Sequence, residues 1–263
     1  MLYSRRLHSL HFLLLTGFLS WQICGTARAA SSVLIWPIDP VLEADQQASA
    51  LWLENRGNEP ANLQIRVFSW SQSGFEDHYD SQRDIIGSPP VARIEPGQKQ
   101  LIRLTRTREI PAGQEHAYRV IIDEIPSPAS ADAPAGQSAA AIRFQMRYSV
   151  PLFVYGEGLW SKEDVNHKRD AQSAGHADLS WGKLLVDGRP YVEIRNRGAV
   201  HARMTDVALQ QGGQVRPLAD GLLGYVLPGA AMRWPAPQPP TANQTLQIRI
   251  NGATQVQNLS PSQ

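Results

Sequence analysis

The 263-residue chain holds one cysteine and four methionines, and aromatic residues make up only 8% of it. The cysteine, Cys24, lies near the N-terminus. The remaining chain therefore has no means of forming a disulfide, a thiolate metal site or a thiol nucleophile. Charge of one sign is lacking too, since 25 basic and 24 acidic residues leave a net +1. That balance excludes the broad basic face of a nucleic-acid binder and any long acidic tail. Beyond the N-terminal segment no apolar run approaches the ~20 residues that a membrane-spanning helix needs. Catalytic signatures are missing as well: there is no G-x-S-x-G, no G-x-x-x-x-G-K-[ST] and no H-E-x-x-H. Gly156-Glu157-Gly158 begins like a dinucleotide fingerprint, but Ser161 stands where the third glycine belongs. The chain is not expected to be an enzyme or to need a cofactor.

Turn formers, by contrast, are plentiful, with 20 glycines and 19 prolines. The length suits two domains, each able to bury a core of its own. Residues 1–30 have the layout of a secretory signal: Arg5 and Arg6, an apolar stretch from Leu10 to Trp21, and Ala27-Arg28-Ala29 before the expected cleavage after Ala29 or Ala30. A lipid anchor at Cys24 is disfavoured by bulky Ile23 before it. Cleavage would remove three arginines and the cysteine, leaving an exported, slightly acidic chain without a stable membrane anchor.

The chain that follows is a series of short alternating segments. In Leu63–Trp70, Leu63, Ile65 and Val67 fall on one face and Gln64 and Arg66 on the other. Period-two alternation rich in β-branched residues predicts a half-buried strand. Further strands are expected at Ala48–Asn55, Gln100–Arg106, His116–Glu124 and Ala141–Val150, separated by Ser73-Gly74, Ser88-Pro89-Pro90 and Glu95-Pro96-Gly97. About seven strands at this spacing describe an immunoglobulin-like sandwich. Past Gly156-Glu157-Gly158, a second, weaker set is expected around Leu184–Val186, Tyr191–Arg195, Met204–Leu209, Leu222–Leu227 and Leu246–Ile250. The fold class is all-β, with an N-terminal domain over 31–156 and a C-terminal sandwich over 157–263. Asn55-Arg56-Gly57 and Asn196-Arg197-Gly198 recur as similar turns.

Candidate chemistry is sparse. Asp164, His167, Asp170, His176 and Asp178 could ligate a metal, but their spacing fits no metal frame, and a solvated polar loop is expected instead. Asp123-Glu124 are strand neighbours that point to opposite faces, which favours a structural role. Ser127–Ala140 has no periodicity and reads as a loop. The segment after it is the most informative. Ile142, Phe144, Met146 and Tyr148 alternate strictly with Arg143, Gln145, Arg147 and Ser149. They could face the domain's own core, or they could form an edge strand lent to another polypeptide; periodicity alone does not choose.

Longer stretches carry a resemblance: Val33-Leu34-Ile35-Trp36-Pro37-Ile38-Asp39-Pro40, Ser88-Pro89-Pro90-Val91-Ala92-Arg93-Ile94-Glu95-Pro96-Gly97, Tyr118–Pro126 and Phe144–Phe153. In order and content they resemble the PapD-like family of periplasmic pilus chaperones, in particular its archaic group serving spore-coat-U-like subunits. The resemblance implies two immunoglobulin-like sandwiches enclosing a cleft. It also implies donor-strand complementation of pilin subunits, with Ile142, Phe144, Met146 and Tyr148 as donor residues, and delivery to an outer-membrane usher. Most members bind the subunit's C-terminal carboxylate with an arginine and a lysine; the matching positions here are Pro40 and Pro151. Arg119 is the first substitute, with Arg103, Arg93 and Arg147 behind it. Glu124 matches an interdomain ion-pair position, whereas Tyr155 replaces its arginine. The rival expectation is a secreted two-domain adhesion or carbohydrate-binding protein whose site lies in loops such as Ser161–Gly175.

Overall fold

The computed structural model describes residues 32–126, 145–160, 175–239, 241 and 243–261. The described part of the first domain holds β1 (Val33–Trp36), β2 (Val41–Leu42), β3 (Ala48–Asn55), β4 (Ala61–Ser73), β5 (Glu76–Ser81), β6 (Ile85–Ser88), β7 (Val91–Ile94), β8 (Lys99–Arg106), β9 (Glu115–Glu124) and β10 (Arg147–Tyr155). One sheet has the order β1-β3-β8-β6; the other runs β2-β10-β9-β4-β5, with β7 also on β4. The alternation that predicts these strands also builds their core. Leu51 and Leu53, Ile102 and Leu104, Leu63 and Ile65, Tyr118, Val120 and Ile122, and Val150, Leu152 and Val154 meet between the sheets, almost wholly buried. Each such aliphatic side chain is worth roughly 1.5–3 kcal/mol when fully buried.

The second domain comprises β11 (Leu179–Val186), β12 (Arg189–Asn196), β13 (Ala202–Gln211), β14 (Gln214–Pro217), β15 (Leu222–Val226), β16 (Ala231–Pro235), β17 (Thr245–Ile250) and β18 (Gln257–Leu259). Its sheets are β11-β12-β16 and β14-β13-β17-β18, with β15 beside β13. Asp187 and Gly188 close the β11–β12 hairpin at φ 50° and 73°, the left-handed pair that a tight two-residue hairpin turn requires. The chain is all-β over the described residues, in two immunoglobulin-like sandwiches.

Two features were not read from sequence. The strand expected at Ala141–Val150 is found from Arg147 and continues to Tyr155; residues 127–144, with Ile142 and Phe144, lie outside the described ones. Pro151 does not end it, because alternate residues turn their backbone groups to alternate sides. The Phe153 N–H reaches the Pro40 carbonyl at 3.2 Å, so residue 151 also faces that side, where no strand among the described residues sits opposite it. The several extra strands (β1, β2, β5, β6, β7, β14, β16, β18) are short or polar. Every residue of β5, Glu76–Ser81, is exposed, so it carries no apolar alternation.

The two domains share an apolar contact. Trp70, Ala117, Phe153 and Tyr155 of the first pack into the core of the second, among Val200, Ala202, Tyr225 and Leu227. The link between them is short and held. Gly156 N–H donates to the Gln114 carbonyl at 2.9 Å and Gly113 N–H to the Glu157 carbonyl at 2.8 Å. A Cβ at Gly156 would stand 1.9 Å from the Pro111 carbonyl oxygen, so only glycine fits.

Candidate functional site

β10 is paired antiparallel with β9 along its whole length, but on its other side β2 covers only Phe153 and Val154. The outward backbone groups of Arg147, Ser149 and the Pro151 carbonyl face no strand among the described residues. Such an edge is a template for another chain. The even-numbered side chains of β10 point into the domain core, where Tyr148 packs half-buried at its margin. Met146, just before the strand, is 45% exposed and continues the same row outward. The donor expectation thus divides: Tyr148 belongs in part to the domain's own core, Met146 is presented to solvent, and Ile142 and Phe144 lie outside the described residues.

The open edge leads to Arg119. In register, Arg119 of β9 stands directly opposite Pro151 of β10 and Phe68 of β4. Its guanidinium carbon lies 3.7 Å from the Trp70 ring centroid and 5.2 Å from that of Tyr225, a residue of the second domain. Trp70 and Tyr225 themselves meet edge to face at 5.5 Å. Nε of Arg119 is buried and has no hydrogen-bond partner among the described residues. Burial lowers the guanidinium's pKa from its ordinary value, against the opposing pull of Tyr79, Tyr225 and Asp77. Asp77 forms no ion pair with it: its Oδ1 accepts from Trp70 Nε1 at 2.8 Å and Gln72 Nε2 at 2.9 Å. A desolvated cation with a free donor, at the end of an unpaired strand edge, suits a carboxylate.

The other arginines are placed differently. Arg93 is bound to Glu95 at 2.8 Å and exposed. Arg103 is exposed on β8, in the opposite sheet of the sandwich. Arg147 is paired with Asp123, whose other oxygen takes Arg66 at 2.6 Å. Of the four, only Arg119 lies where the two domains meet. Of the two prolines expected at the cation positions, Pro151 stands opposite Arg119 and Pro40 is hydrogen-bonded to Phe153.

The polar contact between the domains is not made at Glu124, the position expected for an ion pair. Glu124 sits at the far end of β9, where its carboxylate receives the Met146 N–H at 3.4 Å. The opposite end of that strand, about 30 Å away at ~3.3 Å per residue, carries the contact actually made. The Glu115 carboxylate, fully buried, accepts the His201 N–H at 3.0 and 3.1 Å and lies 2.7 Å from its Nδ1. The His201 ring stacks on Phe153 at 3.3 Å. Gln72 adds a second tie, accepting the Leu227 N–H at 2.8 Å and donating to the Tyr225 carbonyl at 3.1 Å. No motif spans these 86 or 155 residues, and sequence reasoning missed both. Of the proposed metal ligands, Asp164, His167 and Asp170 lie outside the described residues. Among the described residues no group of three or more His, Cys, Asp or Glu side chains is placed to hold a metal.

Residues 39–159 match the family described as pili and flagellar-assembly chaperone, PapD N-terminal domain. Over 88% of its length the chain is 33% identical to all of a chain in the crystal structure of the CsuC–CsuE chaperone–tip adhesion subunit pre-assembly complex, from archaic chaperone-usher Csu pili of Acinetobacter baumannii, with a TM-score of 0.70. The chain belongs to the PapD-like family of pilus-assembly chaperones. It is also 28% identical over 197 residues to the probable fimbrial chaperone YadV of Escherichia coli, covering 73% of this chain and 74% of YadV. The crystal structure of YadV superposes with a TM-score of 0.57 at 17% identity over 86% of this chain and 96% of that one, which bears on the fold alone. Within a PapD-like chaperone the features above acquire an order: β10 is the strand with the open edge, and Arg119 stands at its cleft end.

Proposed function

We propose that this chain is a periplasmic chaperone that binds pilus subunits by lending them β10 and the segment before it, and that it passes them to an outer-membrane usher. Residues 1–30 serve as a cleaved signal, 31–156 as the strand-lending domain and 157–263 as the second wall of the cleft. The observation that carries this reading is the open edge of β10 ending at a desolvated Arg119 whose Nε has no hydrogen-bond partner among the described residues. A subunit lacking one strand exposes an apolar groove and a row of unsatisfied backbone groups. A donor strand satisfies the backbone, and the row Ile142, Phe144, Met146 extends the chaperone's own core into the groove. Arg119 takes the subunit's C-terminal carboxylate in place of the cations that Pro40 and Pro151 displace. Release needs no nucleotide if one donor strand exchanges for another.

Co-expression with a cognate pilin should yield a soluble one-to-one complex, read by affinity capture and light scattering. Replacing Phe144 and Met146 together by aspartate should abolish capture while leaving the free chaperone folded. A complex that survives the double substitution removes the donor strand from this account. The adhesion reading is not favoured, because the feature that distinguishes the chain is a strand edge and not a loop site.

A further inference from the structure

The cation site of the cleft does not end with Arg119. Tyr225 of β15, against which Arg119 lies, is the cross-strand partner of Arg203 on β13, whose positive charge, with that of Arg119, opposes the upward push that burial gives the phenol. The phenol therefore stands between two arginines, one from each domain. Arg203 is half-buried, and among the described residues neither arginine is ion-paired with a carboxylate. The backbone of Arg203 is clamped from both sides by Asn251, whose Oδ1 accepts its N–H at 2.7 Å and whose own N–H donates to its carbonyl at 2.9 Å. Its side chain opens into a cavity of about 420 Å³ that also receives Asp39, Val41, Phe153 and His201. Asp39 immediately precedes Pro40 and β2, so this cavity adjoins the place where the open edge of β10 stops.

We infer that Arg203 is the second anchor for the ligand's C-terminal carboxylate, so that the site is shared between the domains, Arg119 holding one oxygen and Arg203 the other across Tyr225. The inference rests on the subunit-binding reading above and adds a residue to it. Its direction follows from the topology: a peptide whose α-carboxylate arrives at this end of β10 must run parallel to β10, from Arg147 toward Pro151. Two half-buried positive charges beside one neutral phenol repel each other in the empty cleft, and an arriving anion removes that cost. The amide of the same peptide has no charge to offer and would leave both guanidinium groups unpaired. Because one arginine is carried by each domain, the site is complete only when the domains hold the angle set by their contact.

The test uses the chain with 15N-labelled arginine and two synthetic probes, N-acetyl-Val-Leu-Val as the free acid and as the C-terminal amide. The Nε–Hε resonances are assigned from Arg119→Lys and Arg203→Lys. Titration with the acid should shift both resonances and the amide neither. Arg203→Ala should weaken binding of the acid about tenfold, the worth of one charge-assisted hydrogen bond, without changing the thermal midpoint, and Arg203→Lys should restore part of it. If Arg119 responds and Arg203 does not, or if Arg203→Ala binds the acid as tightly as the parent, the shared site is wrong and the Arg119 anchor stands. If neither responds, both the shared site and the Arg119 anchor fall. Pilin capture, measured separately by co-expression, reports on the donor strand in either case.

Discussion

Asn55 and Asn196 show how a turn signal can conceal a structural role. In each domain the asparagine is fully buried, accepts the N–H of the glycine two residues on at 2.9 Å, and donates to two carbonyls. For Asn55 those are Glu59 and Ile94 at 2.8 and 2.9 Å; for Asn196 they are Val200 and Val226 at 2.8 and 3.0 Å. The N-R-G turn is legible in the sequence, but the distant carbonyl is not, because it arrives from a strand 30 or more residues away. Asn55→Ala should orphan the buried Ile94 carbonyl and leave the part-buried Glu59 carbonyl and Gly57 amide to water, lowering stability by about 1–3 kcal/mol in urea unfolding. At the same scale, Asp123 is pushed upward by desolvation but held below its ordinary 3.8 by hydrogen bonds from Arg147 and Arg66. A lowered folded-state pKa means its contribution is present above pH 3.8 and is lost as the pH falls below it. Arg147→Ala should shrink that acid-side loss, measured as the change in unfolding midpoint between pH 5 and pH 3.

At the scale of the element, the alternation in Ile142–Tyr148 predicts a strand face but is silent on what that face touches; of that row only Met146 and Tyr148 lie among the described residues, and the strand starts at Arg147. Periodicity specifies which residues share a side; burial depends on which neighbouring strand ends first. Here β9 stops at Glu124, opposite Met146, so the row that begins inside the core as Val150 and Tyr148 runs out of cover at Met146. The same geometry separates the two sides of β10. Ser149 sends its backbone groups toward the open edge, and its even-numbered neighbours bond to β9. Ser149→Pro therefore removes one outward N–H and no ladder bond, a substitution an edge strand tolerates. The free chaperone should keep its thermal midpoint to within a few degrees, while capture of a subunit falls sharply because its new ladder loses a donor. Equal capture by this variant would mean that partner strands do not pair along this stretch of β10.

The whole molecule is legible as two domains but not as a fixed pair. Composition and turn spacing predict two sandwiches; the surface that joins them is made from residues whose partners are 86 and more positions distant. Trp70, Ala117 and Phe153 look like ordinary strand residues, yet they bury themselves in the second domain's core. That junction determines whether Arg119, Trp70 and Tyr225 stand together at all. Its polar key is Glu115, whose buried carboxylate satisfies both the amide and the ring of His201, with the imidazole flat on Phe153. Glu115→Ala leaves those donors buried and unpaired, a loss of about 1–3 kcal/mol that falls on the interface and not on either core. Each sandwich keeps its own core, so the expected outcome is not global unfolding. The parent should unfold in a single calorimetric transition and the variant in two, and small-angle scattering should show a larger radius of gyration for the variant. Binding of the free-acid peptide should weaken although Glu115 has no part in holding the carboxylate, because the two arginines are no longer held at a common phenol. One unchanged transition with unchanged binding would instead assign the interdomain angle to the apolar contact and Gln72 alone.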